Sequence, residues 1–343
     1  MCQMPGQRSP LLWERYRHPL VRDLAWLIAA PDLLETPTSA RPGLHELGLD
    51  NGRLTPWLGA LAQDPRALDA HVAAHRQGRL GHYHERLWQF MLAEAPGTHL
   101  LAHNLPIVED KRTLGELDLL YLGNDSPRPI HLEVAIKFYL GLPEGPGQAS
   151  SQARWVGPGC ADSLAIKRQH LHRHQLPLSN ARQARRLLGE MLGKACDIEQ
   201  RLALPGILFY PWGHAMPAPQ EATRQHLRGE WLPWRQWPAF RERLPHTTRG
   251  SILRKPHWLA PPPQAVLQPL PDLEAQLAGH FSLPRSPLLL SLHAPDTGWQ
   301  RIFLVGDDWP HQLPLPPGNP WRDFTPPETR GARRPRRCLR GSP

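Results

Sequence analysis

Two neighbouring apolar segments carry acids that could do chemistry together. Glu116 and Asp118 stand in Gly115-Glu116-Leu117-Asp118, and Glu133 opens Glu133-Val134-Ala135-Ile136-Lys137. Side chains two apart on a strand share a face, so Glu116 and Asp118 point the same way. Glu133 does likewise on the next strand, and the fifteen residues from Asp118 to Glu133 permit a tight hairpin that sets the acids side by side. A hard cation such as Mg²⁺ takes one or two carboxylates together with waters and substrate phosphate. A metal held there polarises a phosphoryl oxygen and lowers the pKa of an attacking water. Lys137, at the far end of the same segment, could offset charge developing on a phosphate ester.

Upstream, Arg79-Leu80-Gly81-His82-Tyr83-His84-Glu85 adds a third acid. Gly81 and Glu85 are one helical turn apart on one face. Gly81 would let the sheet or a phosphate approach the backbone closely, and Glu85 would face the same metal or a water. Downstream, Lys167 and Gln169 could contact substrate. His170, His172 and His174 follow, with His170 and His174 on one helical face. Those histidines read as a metal cluster or as a solvated basic helix lying along phosphates; with 19 histidines in the chain and no carboxylate beside them, the second reading is the stronger. Only five of the 40 basic side chains are lysine (Lys111, Lys137, Lys167, Lys194, Lys255). A lysine retained in an arginine-rich chain suggests a place for a compact point charge, and two of the five fall among the candidate site residues.

Hydrophobic periodicity indicates which elements must position these groups. Helical spacing predicts helices over 19–34, 64–75 and 78–94, with Pro96-Gly97 stopping the last. Strands are expected over 99–108, 116–122 and 130–140. In the third, Ile130, Leu132, Val134, Ile136, Phe138 and Leu140 alternate with His131, Glu133, Ala135, Lys137 and Tyr139, so one face is apolar and the other functional. Residues 141–159 form a Gly/Pro/Ser-rich loop, long enough for a mobile flap or a disordered segment. Helices over 162–174 and 180–202 and a short strand over 207–210 complete a mixed α/β core. Beyond Trp212 the chain is rich in Trp and Pro, with a short helix over 272–279 and strands over 288–292 and 301–305. The expected organisation is an N-terminal helical part (10–95), an α/β core (96–215), a Trp/Pro-rich C-terminal extension packed on it (216–310) and a disordered basic tail (311–343).

The 343 residues are 40% hydrophobic and 21% charged, which suits a globular chain with a real core. No apolar run is long enough for a membrane span, and residues 1–10 lack a secretory pattern. Four scattered cysteines without a CxxC pair indicate neither a disulfide framework nor a cysteine zinc site. A cytoplasmic location is therefore expected. The net charge of +9 is concentrated beyond residue 310, where seven arginines face only Asp323 and Glu328. The body is mildly basic, compatible with a nucleic-acid partner without demanding one.

An R-x-G-x-x-x-E helix, then G-E-[hydrophobic]-D on a strand, then a strand with Glu and Lys, resembles the PD-(D/E)XK nuclease superfamily. Glu133-Val-Ala-Ile-Lys-Phe-Tyr-Leu140, the helix over 162–175 and Gly306-Asp-Asp-Trp-Pro310 resemble, more narrowly, a bacterial family of uncharacterised proteins placed in that superfamily. The narrow resemblance spans residues 10–310, and the nuclease motifs span 78–176. The resemblance implies an αβββαβ core, Mg²⁺ or Mn²⁺ dependence, and hydrolysis of nucleic-acid phosphodiesters, with DNA favoured over RNA. By position it makes Asp118 and Glu133 metal ligands and Glu85 the helical acid. The superfamily pattern puts lysine two residues after the second acid, where this chain has Ala135. Lys137 is the displaced candidate, about 13 Å along an extended strand from Glu133, and Lys167 is a second. Glu116, Arg79, Gly81, Gln169 and His170 would support the site or touch substrate. The alternatives are a catalytically inactive nucleic-acid-binding protein on the same fold, and a protein-interaction module that uses the Trp-rich C-terminal region.

Overall fold

Proline at the first helical position starts α1 (Pro19–Ala29), where fixed φ suits a helix and no N–H is lost. A computed structural model describes residues 11–38, 41–75, 78–124, 128–193, 197–283 and 286–313. Three more helices follow: α2 (Leu54–Gln63), α3 (Arg66–Val72) and α4 (Leu80–Glu94). Sequence periodicity did not signal α2. In α4 the residues Tyr83, Leu87, Trp88 and Met91 face the core, leaving Gly81 and His82 exposed and Glu85 partly exposed.

β1 (Thr98–Glu109) and β2 (Arg112–Gly123) form a long antiparallel hairpin. Its two-residue turn, Asp110-Lys111, has positive φ at both positions, which matches the twist of the flanking strands. The chain continues through β3 (Ile130–Val134), β4 (Lys137–Gly141), β5 (Trp155–Val156), α5 (Leu164–His170), α6 (Arg182–Leu192), β6 (Glu199–Ala203) and β7 (Gly206–Pro211). Then come β8 (Leu227–Pro233), α7 (Trp237–Arg241), β9 (Arg249–Leu253), β10 (Gln268–Pro269), α8 (Leu270–Phe281), β11 (Leu288–Ala294) and β12 (Gly298–Val305). The architecture is mixed α/β with two mixed sheets. One has the order β1-β2-β3-β6, and the other β10-β9-β11-β12-β8-β7-β4-β5.

The single strand expected over 130–140 is two strands in two sheets. β3 runs parallel to β6 in the smaller sheet, and β4 runs parallel to β7 in the larger. Both chains cross together: Ala135 N–H donates to Ala203 C=O at 2.9 Å and Lys137 N–H to Pro205 C=O at 3.2 Å. Because the backbone stays paired through the bend, side-chain alternation survives it. Ile130, Leu132, Val134, Ile136, Phe138 and Leu140 all enter one core with the N-terminal helices. Ala135 and Tyr139 face a second core with α5.

The helix expected over 180–202 also divides. Gly193, at φ 70°, ends α6 in the left-handed conformation that glycine tolerates at a C-terminus, and residues 199–203 pair with β3 instead. The helix expected over 162–174 is α5 followed by a π-helical turn (Leu171–Gln175) and a 3₁₀ turn. Residues 141–159 are not a bare flap: β5 pairs with β4, and Arg154 donates to the carbonyls of Pro143 and Gly147, each at 2.7 Å. Strands β8 to β12 of the region expected as an extension are built into the larger sheet beside β7 and β4. The basic tail beyond residue 313 lies outside the described residues. Among the described residues no helix is long and apolar enough to cross a membrane.

Candidate acidic site beside a cationic cleft

Strand register decides which acids meet. Leu119 pairs with Leu132 and Leu120 with His131, so the next antiparallel position sets Asp118 opposite Glu133. Opposed residues of an antiparallel pair project to the same face. The two carboxyls lie within hydrogen-bonding reach, and Asp118 Oδ2 also accepts the Val134 N–H at 3.0 Å.

Glu133 is fully buried. His131 Nε2 meets its Oε1 at 2.8 Å, and Gln175 Nε2 donates to its Oε2 at 2.7 Å. Burial drives the His131 pKa down to about 4, so its imidazole is neutral and donates from Nε2. Burial pushes Glu133 up to about 7, against the hydrogen bonds that favour its charged form. Burial pushes Asp118 further, to about 8, and the neighbouring Glu133 charge adds to the shift. Both carboxyls are thus held above the ordinary carboxylate range, and the pair favours binding a proton between them.

Glu85 reaches this region from α4. Burial raises its pKa to about 7, and the charge of Asp118 adds to the rise. Its partner is Asn104, which also donates to Glu116 at 2.8 Å and accepts from Gln89 at 2.9 Å. Asn104 falls opposite Asp118 in the β1–β2 register and has φ 48°, a left-handed backbone in mid-strand. Such conformations persist where surrounding structure imposes them, often at functional sites. Glu116 itself is exposed. Among the described residues no group of three or more His, Cys, Asp or Glu side chains is placed to hold a metal ion. Asp118 and Glu133 come together as a pair, and Glu85 acts on them through its charge.

A cleft of about 810 Å³ opens beside the pair. Arg79, Gly81 and Glu85 of the α4 region form part of its lining, with the β3–β4 crossing, Lys137, Lys167 and Lys255 forming the rest. Asp118 and Glu133 are not in that lining: Glu133 is fully buried and Asp118 half-buried, while Val134 to Lys137, the next residues along the strand, line the cleft. Nothing lies within 4 Å of where a Cβ on Gly81 would stand, so protein packing does not require glycine there.

Lys137 does not reach back along its strand to Glu133. Its Nζ lies 2.6 Å from Asp162 Oδ2, which also accepts from Tyr139 Oη at 3.2 Å. Lys167 donates to Gln175 Oε1 at 2.9 Å, and His170 Nδ1 meets the same oxygen at 3.0 Å. Burial lowers the Lys167 pKa, and Lys137 lowers it further, while Asp118, Glu133 and Asp162 oppose the shift. Gln175 thus joins Glu133 to Lys167 from the π-helical turn, a distortion frequent at functional sites. Gln169 is half-buried and, among the described residues, makes no side-chain hydrogen bond. Sequence reading missed Gln175, Asp162, Asn104, His131 and Lys255. The persistence of lysine was a usable signal, since three of the five lysines line one cleft, and strand alternation had put His131 on the face of Glu133; Gln175, Asp162 and Asn104 carried none.

The fold and site together define a mixed α/β protein with a paired Asp118 and Glu133 beside a cleft lined by three lysines. The chain belongs to the family described as Domain of unknown function (DUF1853), whose profile matches residues 22–305. No curated protein and no solved structure matches it.

Proposed function

We propose that the chain is a metal-dependent nuclease with a PD-(D/E)XK-like site. The observation that carries this reading is the opposed Asp118–Glu133 pair beside a cleft lined by Arg79, Lys137 and Lys167. The order of elements around the smaller sheet supports it: helix α4 and strands β1, β2 and β3, then, after β4 and β5 of the larger sheet, helices α5 and α6 and the returning parallel strand β6.

The donor set fits a hard divalent ion. Three carboxylates are held above their ordinary pKa by burial, and a like charge adds to the rise for Asp118 and Glu85; bound positive charge would relieve that cost. Asp118 and Glu133 would hold Mg²⁺ or Mn²⁺, with waters and phosphate oxygens completing the shell. A bound ion would supply polarisation of a phosphoryl oxygen and a water of lowered pKa. Glu85, poised near neutrality and bordering the cleft, would take a proton from the attacking water. Because Asp162 already answers the charge of Lys137, Lys167 is the better placed ammonium for the scissile phosphate. Gln175 holds Lys167 and Glu133 in one frame.

The test is purified protein with Mg²⁺ or Mn²⁺ on single-stranded, duplex and branched nucleic acids. Cleavage is expected, and Asp118→Ala and Glu133→Ala each abolish it. A wild-type rate no greater than that of Asp118→Ala removes the enzyme reading. Ala135 at the motif lysine position and the neutralised Lys137 favour one second reading, a nucleic-acid-binding protein without catalysis. That reading is selected by strongly salt-dependent binding with no cleavage.

A further inference from the structure

Lys255 lies 118 residues beyond the last residue of the acidic motif, in the region built into the larger sheet, yet it lines the same cleft as Glu85 and Lys167. We propose that Lys255 is a phosphate-binding residue, the cleft's second wall, which grips the sugar-phosphate backbone of a nucleic acid lying between the start of α4 and the loop after β9. The inference rests on the reading above that the cleft receives a nucleic acid, and extends it to a residue that no motif names.

Three observations carry it. First, Lys255 is exposed and, among the described residues, has no carboxylate partner, whereas Lys137 is neutralised by Asp162. Arg79, across the cleft at the start of α4, likewise has none. The cleft therefore carries cations whose charge the protein does not answer, and a polyanion would.

Second, the ammonium is aimed. Its Nζ stands 4.7 Å from the centre of the Trp258 ring, a cation–π contact that limits where a flexible stem can point. Trp258 is itself buried against Phe138 and Phe303, at ring distances of 5.4 and 5.3 Å.

Third, the loop is fastened to the helix that bears Glu85. Buried Asp23 of α1 accepts from Tyr83 Oη of α4 at 2.6 Å and from Ala260 N–H at 2.9 Å, and contacts His257 Nδ1 at 3.4 Å. Tyr83 and His257 also meet ring edge to face at 5.6 Å. Arg22 adds donations to the carbonyls of Pro261 and Pro262. Asp23 is thus a positioning residue that holds the two walls at a set separation. A cation on a held loop loses little freedom on binding, which is what a built contact requires.

The experiment is fluorescence anisotropy of the full chain in EDTA with a labelled DNA duplex and the matching single strand, over about 0.05–0.3 M KCl. Lys255→Ala is expected to lower the slope of log affinity against log salt by about one on duplex. One unit of slope over the decade below 1 M is a roughly tenfold weaker complex near 0.1 M salt. Lys255→Arg restores the slope. Arg186→Ala, an exposed cation on α6, leaves it unchanged. A wild-type slope in Lys255→Ala, or an equal drop in Arg186→Ala, overturns the inference while leaving the nuclease reading intact. Slope loss in Lys255→Ala without any Mn²⁺-dependent cleavage supports the inference and removes the nuclease reading. Failure of the wild type to bind either strand form overturns the inference, and the cleavage assay with Mn²⁺ then decides the nuclease reading separately.

Discussion

Glu133 shows how a single buried charge organises its surroundings. A carboxylate at zero exposure survives only if its lone pairs are met: His131 and Gln175 are its partners at 2.8 and 2.7 Å, and the carboxyl of Asp118 is within hydrogen-bonding reach. Gln175 is the exchange point, giving its N–H to Glu133 and receiving Lys167 and His170 on its oxygen. Gln175→Leu would leave Glu133 and Lys167 each short of a partner. Such a loss costs about 1–3 kcal/mol, to be read from urea denaturation. In a Glu133→Leu background the loss shrinks, and the double-mutant cycle isolates the pair. Equal losses in both backgrounds would show that Gln175 acts through its own packing alone.

At the scale of elements, the decisive feature is the joint crossing of β3–β4 and β6–β7 from one sheet to the other. It places Glu133 at the end of one sheet and Lys137 at the start of the next, with the backbone between them lining the cleft. The crossing depends on close backbone approach at Gly206, where a Cβ would sit 1.8 Å from the Lys137 carbonyl oxygen. Neither backbone can yield cheaply, because Gly206 and Lys137 are paired with each other as the opening pair of the β4–β7 ladder. Gly206→Ala is therefore expected to cost about 3 kcal/mol and to weaken any activity that uses this cleft. An unchanged melting temperature in that variant would mean that the two strands part more easily than their pairing indicates.

Across the whole molecule, buried ionisable groups of two kinds set opposite pH trends. Glu85, Asp118 and Glu133 have folded pKa values of about 7, 8 and 7, raised mainly by burial. A raised carboxylate binds more protons folded than unfolded, so its stabilising contribution is complete below the unfolded pKa and is lost as pH rises through the folded value. His84 and His131 are held down by burial, to about 3 and about 4. Their contribution is present above the ordinary histidine pKa and is lost as pH falls toward those values. The trends oppose each other in mildly acid solution, and above about pH 6.5 only the carboxylates still titrate. The metal-free protein is expected to lose melting temperature from about pH 6.5 to 8.5. Asp118→Asn flattens that decline, and Mn²⁺ raises the melting temperature more at the upper end than at the lower. A decline that Asp118→Asn does not alter would place its origin away from the acidic pair.

Local pattern was enough to reveal the acids and their shared face. The alternation from Ile130 to Leu140 was readable because burial on one side of a strand writes a period of two into the chain, and that parity held across the sheet crossing. The motif spacing likewise set Asp118 and Glu133 on neighbouring strands, and the matched family profile covers the stretch that contains them. Partners from distant segments could not be read this way. Lys137 meets Asp162, Glu133 meets Gln175, and Lys255 arrives at the cleft from another sheet strand's loop. The expected helix over 180–202 failed at residues 199–202 for the same reason, since those residues belong to β6 and pair with β3, and the break at Gly193 mattered more than local propensity. Chain-local forces write themselves as periodicity; contacts between segments far apart in the chain leave no such period, so only folding assigned each cation to its acid or to the open cleft.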